Sequence, residues 1–243
     1  MNIIKLDATA STNTYLRAML TNCNLENFTT IVTENQFAGK GQRGESWVSE
    51  AGSNLTFSVL MKSSPQAVTG VFDLNVMVAL RVATTLKKIT SLPYFIKWPN
   101  DILSANKKVG GILIENIIKA NGEVFSVVGI GINVNQLHFP ALSKASSLAL
   151  LQGNNIDKDL LLHALLAELK EGYEELQQEN TLALWEKYKA HLYRKDVVSV
   201  FQKPEGERFN GIIRNVTAYG KLVIETEDQG ELEFALKEVQ LLY

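Results

Sequence analysis

A glycine-rich segment near the start of the chain combines the residue types that bind anions. Gly39, Gly41 and Gly44 lie within six residues, and Lys40 and Arg43 stand between them. Glycines leave backbone N–H groups free to converge on an anion, and the two basic side chains add positive charge. The segment therefore predicts a loop that binds a phosphate or a carboxylate, although a flexible surface loop would have the same composition.

The same three glycines fit the spacing G-x-G-x-x-G of dinucleotide-binding proteins, but their context does not. That fingerprint opens a helix, whereas here the polar run ESWVSEAGSN follows. An acidic residue is expected about 20 positions further on, where Ser63 and Ser64 stand. The P-loop pattern also fails, because no Gly-Lys-Ser/Thr ends the segment. A nicotinamide-dependent enzyme is thereby disfavoured.

A second segment, KWPNDILSANKKVGGILIE, places an acid and a base on either side of a predicted turn. Pro99 restricts Trp98 to extended geometry and shapes the turn that presents Asp101. A hairpin would bring Asp101 and Lys108 into one cleft, facing a shared ligand; a surface ion pair is the alternative. Two glycines follow soon after Lys108, and they weaken a strand unless a ligand or another backbone comes close.

Glycine alternates with β-branched residues in the third segment, VGIGINVN. In a strand, Gly129 and Gly131 point to the same face. They would leave a shallow floor that suits a flat, largely apolar ligand. A tightly packed central strand is the alternative interpretation of this segment.

The remaining reactive residue types do not form a site in the sequence. Cys23 is the only cysteine, which excludes an internal disulfide framework and a thiolate metal site. His138, His163 and His191 show no metal-ligand spacing. We therefore expect packing or surface roles for these four residues, no metal ligands among them, and no covalent enzyme nucleophile.

Together and in this order, the segments resemble those of biotin–protein ligases. The motifs that carry the resemblance are Ser11-Thr12-Asn13, the AGKGQRG loop with Trp47 after it, KWPND, KKVGGILIE and GIGINVN. They span about residues 9–135, and KWPND followed by K-x-G-G-I-L-x-E is the most specific part. Lipoate ligases are similar in fold but are not expected to carry KWPND.

The resemblance implies an ATP-dependent biotin–[biotin carboxyl carrier protein] ligase of the monofunctional type. Such an enzyme uses biotin, ATP and Mg²⁺ to form biotinyl-5′-AMP. It then transfers biotin to a lysine of the biotin carboxyl carrier protein domain of a biotin-dependent carboxylase.

The resemblance also implies a role for each matching residue. Ser11, Thr12 and Gln36 would hydrogen-bond the ureido end of biotin, and the loop Gly39–Gly44 would fold over the activated carboxyl group and phosphate. Lys108 would face the carboxylate and the α-phosphate. The catalytic set would be Lys108, Lys40, Arg43 and Asp101, with Asp101 near the metal. The other ligand contacts would be Gly111, Gly129 and Gly131 on the biotin floor, Asn100 and Asn133 toward adenine and phosphate, and Asn13, Gly39, Gly41, Gln42, Gly44 and Trp47 elsewhere.

The chain departs from the family pattern in the glycine loop. The family loop reads G-R-G-R-x-G, and Lys40 and Gln42 stand at the two arginine positions. The lysine keeps a cation but loses bidentate geometry, and Gln42 loses the charge. The resemblance assigns retention of the adenylate to that second arginine, so Gln42 predicts weaker retention. Glu45, where the family tends to be basic, acts in the same direction, and whether Arg43 substitutes is left open.

Apolar periodicity predicts the elements that must position these residues. Ser11 is a suitable N-cap for a short helix, and a polar loop is expected from Gln36 to Asn54. The predicted strands are Thr29–Thr33, Leu55–Met61, Tyr94–Trp98, Val109–Glu115 and Glu123–Val134, with Tyr94–Trp98 and Val109–Glu115 forming a hairpin across Ser104–Lys107. The predicted helices run from Pro65 to about Ile89, over Lys158–Gln178 and over Leu182–His191.

From Lys195 the pattern changes to short strands separated by KPEG, AYGK and EDQG turns. It predicts a small SH3-like β-barrel. We expect an α/β (α+β) protein in two parts: residues 1–192 form the catalytic domain, and residues 193–243 form the barrel. The resemblance implies that the catalytic domain has a mixed sheet flanked by helices, as in the biotin/lipoate ligases and the class II aminoacyl-tRNA synthetases.

Composition limits the partners. The 243 residues carry a formal net charge of −2, so no basic excess exists to neutralise nucleic acid phosphates. The first residues lack signal-peptide character, and no apolar run approaches the roughly 20 residues of a membrane span. The Ser-Thr-Asn motif begins at Ser11, which leaves no room for the DNA-binding domain of some family members. We expect a cytoplasmic monomer or weak homodimer that binds neither nucleic acid nor membrane.

Overall fold

The computed structural model describes residues 1–63, 72–140, 142–178 and 181–243, with the side chain of Arg43 left out. Its strands in chain order are β1 (Ile3–Thr9), β2 (Thr30–Gln36), β3 (Gly39–Lys40), β4 (Ser46–Trp47), β5 (Leu55–Ser63), β6 (Phe95–Lys97), β7 (Asp101–Ser104), β8 (Lys107–Ile118), β9 (Val124–Ile132), β10 (Val198–Gln202), β11 (Arg208–Val216), β12 (Leu222–Thr226), β13 (Gly230–Phe234) and β14 (Gln240–Leu242). Its helices are α1 (Thr12–Asn22), α2 (Asp73–Thr90), α3 (Leu148–Gln152), α4 (Lys158–Leu176) and α5 (Leu182–Ala190).

A mixed sheet organises the larger part of the chain. Among the described residues it has seven strands in the order β1-β2-β5-β9-β8-β7-β6. β1 and β2 are parallel, and the other neighbours are antiparallel. Successive residues of a strand face opposite sides. Val59 and Met61 accordingly pack in the large core with α2, whereas Leu60 packs in a smaller cluster with Leu16 of α1. The two helices therefore cover opposite faces of the sheet.

Most predicted helices are confirmed within a few residues. Ser11 caps α1, and its side chain accepts from the N–H of Thr14. The predicted helix start at Pro65 lies outside the described residues, and the described part of that helix begins at Asp73. The short helix α3 was not expected, because its five residues are too few for a helical period to be recognised. No helix of the described ranges is long and apolar enough to cross a membrane.

The predicted single hairpin across Ser104–Lys107 is wrong in its pairing. β7, a strand that the sequence did not predict, lies between the two strands that were expected to pair. β7 has only four residues, too few to show a period of two, so its pattern merged with the turn. Ala105 and Asn106 form the turn from β7 to β8, and both have positive φ, as a type I′ hairpin turn requires.

The C-terminal segment forms a second, antiparallel sheet. Its five strands within the described residues have the order β13-β12-β11-β10-β14, which fits the expected SH3-like barrel. The two sheets are joined by buried contacts, since Trp98 Nε1 donates to the carbonyl of Gly220 at 2.9 Å. One continuous cluster of buried apolar side chains extends from α2 to Phe201 and Ile224. The boundary near residue 193 stays a prediction.

We predict that Trp98→Phe lowers the free energy of unfolding by about 1–3 kcal/mol, because the buried Gly220 carbonyl loses its donor. Urea denaturation followed by circular dichroism would measure the change. Tyr219→Phe is the matched control, since Tyr219 is in the same turn and 79% exposed. Equal unfolding midpoints for Trp98→Phe and the control would contradict the prediction.

Candidate active site

A cleft with a volume of about 740 Å³ lies where the large sheet meets the C-terminal sheet. Its wall on the large sheet includes most of the residues that the sequence singled out. These are Ser11, Thr12, Asn13, Gln36, Lys40, Gly41, Gln42, Trp47, Asn100, Asp101, Lys108, Gly111, Gly129 and Gly131. The fold thus brings together segments that are about 120 residues apart in the chain.

An ion cluster occupies one part of this cleft. Asp101 lies between two lysines: its Oδ1 is 2.6 Å from Lys108 Nζ and its Oδ2 is 3.2 Å from Lys97 Nζ. The expected meeting of Asp101 and Lys108 is therefore present in the structure. Two ammonium groups share one carboxylate, so the cluster carries a net positive charge. Such a charge favours an anionic ligand.

Strand register explains why the ion cluster forms. Lys97 and Asp101 are paired residues of β6 and β7. The ladder between β7 and β8 pairs Ile102 with Gly110 and Leu103 with Lys108, so one extra residue of β8 is accommodated. A bulge of this kind redirects side chains and is frequent beside active sites. The bulge allows the side chains of Lys108 and Asp101 to meet, while neighbouring residues of β7 and β8 bury their apolar side chains in the core.

A tyrosine borders the same cluster. The ring centroid of Tyr243 is 5.6 Å from Lys97 Nζ and 4.3 Å from Lys144 Nζ. Burial raises the pKa of Tyr243 to about 12, and the negative charge of Asp101 acts in the same direction. The hydroxyl is therefore neutral at physiological pH and does not offset the positive charge of the lysines.

The floor of the cleft requires glycine. A Cβ on Gly131 would lie 2.5 Å from Trp47 Cε2, and a Cβ on Gly111 would lie 3.2 Å from Trp47 Cζ3. The indole of Trp47 therefore packs directly on backbone, and Lys108 Nζ is 5.8 Å from the ring centroid. Gly129 plays a different part, because its missing Cβ leaves room for the amide oxygen of Asn13.

A polar group borders the floor at the start of α1. The backbone N–H of Thr12 donates to Gln36 Oε1 at 2.9 Å, and Thr12 Oγ1 lies 3.2 Å from the same oxygen. Ser11 is buried beside them as the helix cap. The three residues expected to meet a ureido group are therefore neighbours in the cleft.

The glycine-rich segment contains more regular structure than the expected loop. β3 and β4 pair as a short ladder, Gly39 with Trp47 and Lys40 with Ser46. A 3₁₀ turn over Gln42–Gly44 connects them. Cross-strand pairing across two residues on each side is too short to be predicted from a sequence pattern.

Four predicted site residues are not among the described residues that line the cleft. Gly39 is buried against the backbone of Trp47 and the amide nitrogen of Gln36, and Gly44 belongs to the turn of the loop. Asn133 is buried, and its Nδ2 donates to the carbonyl of Ser146 at 3.0 Å beside the backbone of Lys108. The side chain of Arg43 lies outside the described residues. The ligand contacts of all four residues stay predictions.

Sequence reasoning missed the wall that the C-terminal sheet contributes. The described residues of this wall are Gln202, Lys203, Pro204, Ile213, Leu222, Leu236, Lys237, Val239, Gln240 and Leu241. No signal in the sequence places these residues opposite Lys108, because they follow it by 94 to 133 positions and lie in or between the strands of a separate sheet. Lys97 belongs to the KWPND motif, but the motif does not predict its proximity to Asp101.

Comparisons with known proteins show which family this chain resembles. The sequence profile of the biotin/lipoate A/B protein ligase family matches residues 6–135. The bifunctional ligase/repressor BirA of Escherichia coli is 30% identical over 224 residues, which are 89% of this chain and 67% of that protein. A biotin–[acetyl-CoA-carboxylase] ligase of Mycobacterium tuberculosis is 27% identical over 80% of this chain and 72% of its own length.

A solved structure extends the similarity to the second sheet. The biotin protein ligase of Aquifex aeolicus in complex with biotin and ATP is 27% identical, with a TM-score of 0.82. The alignment covers 99% of this chain and 98% of that one. The profile match includes more than half of the chain and contains the ion cluster, the glycine floor and the start of α1. This chain therefore belongs to the biotin/lipoate A/B protein ligase family.

Proposed function

We propose that this chain is an ATP-dependent biotin–protein ligase that forms biotinyl-5′-AMP and transfers biotin to a lysine of a biotin carboxyl carrier protein. The observation that carries the proposal is the continuity of one cleft. A hydrogen-bonding group at Thr12 and Gln36, the glycine floor with the Trp47 indole on it, and the Lys97–Asp101–Lys108 cluster line it. This order matches the polar ring, the apolar chain and the carboxylate of biotin. The relatives named as biotin ligases support it.

The first step joins two anions. A biotin carboxylate oxygen attacks the α-phosphorus of ATP, the bond to the pyrophosphate leaving group breaks, and a mixed anhydride results. Fixed cations offset the repulsion and the charge that develops. Lys108, at one end of the floor, is the cation in position to contact both groups, and Lys97 and Lys40 line the same cleft. Asp101 holds the two cluster lysines at defined positions.

Mg²⁺ enters this proposal with the nucleotide. No group of three or more His, Cys, Asp or Glu residues that could hold a metal occurs in the described ranges. Both oxygens of Asp101 already face lysines. Because Mg²⁺ is commonly held by substrate phosphates and few protein ligands, the substrate would be MgATP. Asp101 belongs to the ion cluster and Asn100 lines the same cleft, and their side-chain oxygens would be the protein ligands of the Mg²⁺ ion.

The second step needs an amine rather than an enzyme nucleophile. The carrier lysine attacks the anhydride carbonyl, the bond to AMP breaks, and the amine proton leaves with the formation of the amide. Cys23 lies exposed at the C-terminal end of α1, whereas Ser11 and Thr12 at the other end line the cleft. Water would hydrolyse the anhydride, so water must be excluded, and the indole of Trp47 and the glycine-rich ladder, which line the cleft, would exclude it.

We predict that Lys108→Ala lowers the rate of adenylate formation about 100-fold or more, roughly 3 kcal/mol of transition-state stabilisation. Single-turnover formation of biotinyl-5′-AMP measures this rate. Lys107→Ala is the matched control, because Lys107 is adjacent but bonds the carbonyl of Ser143 outside the cleft. A near-wild-type rate for Lys108→Ala would remove Lys108 from its role.

Pyrophosphate exchange also tests which acid and which metal ion the enzyme uses. Exchange of labelled pyrophosphate into ATP should require biotin, stop when EDTA removes Mg²⁺, and not proceed with lipoate. Lipoate lacks the ureido ring that Thr12 and Gln36 are proposed to bind. Exchange that proceeds equally with lipoate, or without any acid, would contradict the proposal.

Transfer is tested with a purified carrier domain. Biotin should appear on the wild-type domain and not on a control domain whose acceptor lysine is replaced by arginine. Pyrophosphate exchange without biotin transfer would support adenylate formation but would overturn the proposal that biotin is transferred to the carrier domain.

A further inference from the structure

A chain of hydrogen bonds leads from the protein surface to the polar end of the cleft. Glu115 of β8 bonds Asn13, Asn13 bonds Ser58 of β5, and Ser58 bonds Thr12. The distances are 2.8 Å from Asn13 Nδ2 to Glu115 Oε2, 2.6 Å from Ser58 Oγ to Asn13 Oδ1 and 2.7 Å from Ser58 Oγ to Thr12 Oγ1. Ser58 is fully buried, and Thr12 lines the cleft.

The orientation of the Asn13 amide is determined by its neighbours. Its Nδ2 lies near two atoms that can only accept, the Glu115 carboxylate and the carbonyl of Leu113 at 3.3 Å. An amide nitrogen must face such acceptors. Asn13 Oδ1 therefore faces Ser58 and can only accept, which directs the hydroxyl proton of Ser58 toward Asn13.

The direction of the next bond follows. With its proton on the Asn13 side, Ser58 Oγ offers a lone pair to Thr12. The hydroxyl proton of Thr12 then points to Ser58 Oγ at 2.7 Å, or to Gln36 Oε1 at 3.2 Å, and both are acceptors here. In either arrangement the proton is bonded to another residue of the protein, and Thr12 Oγ1 presents a lone pair to a ligand.

Gln36 is oriented in the complementary sense. A backbone N–H can only donate, so the bond from Thr12 N fixes Gln36 Oε1 on that side. The amide nitrogen of Gln36 is then directed to the opposite side, over Gly39. An acceptor at Thr12 and a donor at Gln36 are the complement of a group that carries an N–H next to a C=O.

We propose that Ser58 and Glu115 are positioning residues that polarise Thr12 as an acceptor and so select a cyclic urea over an apolar ring. The inference rests on the proposed function and adds the origin of its specificity. A dithiolane ring, as in lipoate, has neither N–H nor C=O and would leave the remaining lone pair of Thr12 Oγ1 and the amide nitrogen of Gln36 without a ligand partner. Unpaired polar groups in a buried site reject such an analogue strongly. Gly129 is required for this series of hydrogen bonds, because a side chain at that position would collide with the Asn13 amide.

We predict that Ser58→Ala raises the KM for biotin about 10-fold in pyrophosphate exchange, the size expected for the loss of one oriented hydrogen bond. The KM for ATP and kcat should stay within about two-fold of wild type, since Ser58 does not reach the ion cluster. An unchanged KM for biotin would overturn the proposal.

Glu115→Gln provides a variant that keeps the side-chain volume. Glutamine can donate as well as accept, so only the longer bond to the Leu113 carbonyl, at 3.3 Å, still orients the Asn13 amide. The KM for biotin should therefore rise while the KM for ATP does not. Arg17→Gln is the matched control. Arg17 Nη1 bonds the other oxygen of Glu115 at 2.6 Å, at the surface end of this series of hydrogen bonds. An equal rise in Arg17→Gln would assign the effect to the surface ion pair and overturn the proposal.

Cyclic carbamate analogues of biotin, in which one ureido N–H is replaced by oxygen, separate positioning from general damage. Wild type should bind one of the two analogues at least 10-fold more weakly than biotin, and Ser58→Ala should bind that analogue and biotin with nearly equal KM. A variant that weakens both ligands equally would indicate structural damage and overturn the positioning role. Absence of biotin-dependent exchange in the wild type would instead refute the proposed function.

Discussion

Asp101 lies between Lys97 and Lys108, with an ammonium nitrogen within 3.2 Å of each carboxylate oxygen, and this cluster gives its part of the cleft a net positive charge. A lone lysine beside the floor would be free to move, and two lysines without a carboxylate would repel each other. The shared carboxylate holds both at short range and leaves a net positive charge. On the proposed reaction, that charge offsets the approach of a carboxylate to a phosphate.

The cluster depends on backbone pairing more than on the residues themselves. β7 places Asp101 between β6 and β8, and the irregular register beside Leu103 turns Lys108 toward it. Glycines at Gly111 and Gly131 then let the indole of Trp47 lie on the sheet next to Lys108. Apolar cover and fixed charge thus meet at one point, where lower polarity strengthens the electrostatic interactions.

The polar end of the cleft follows a different rule. There, the charged groups Arg17 and Glu115 lie near the surface. On the proposal above, Glu115 orients the Asn13 amide, and Asn13 in turn orients the hydroxyl of Ser58. The C-terminal sheet closes the cleft from the opposite side and is joined to the KWPND segment through Trp98 and Gly220. On the proposed function, recognition, activation and cover are provided by separate elements that meet in one cavity.

The sequence alone determined the family and the main chemistry of the site, because KWPND, KKVGG, GIGIN and the Ser-Thr-Asn motif are local patterns with specific residue types. It also determined the long helices and the change to short strands after Lys195, since these depend on periodicity. Only the tertiary structure decided that Asp101 has two lysine partners, that Ser58 hydrogen-bonds Thr12, and that the second sheet forms a wall of the cleft. Those relations join residues that are distant in the chain or depend on a bulge of one residue, and neither leaves a periodic signal in a single sequence.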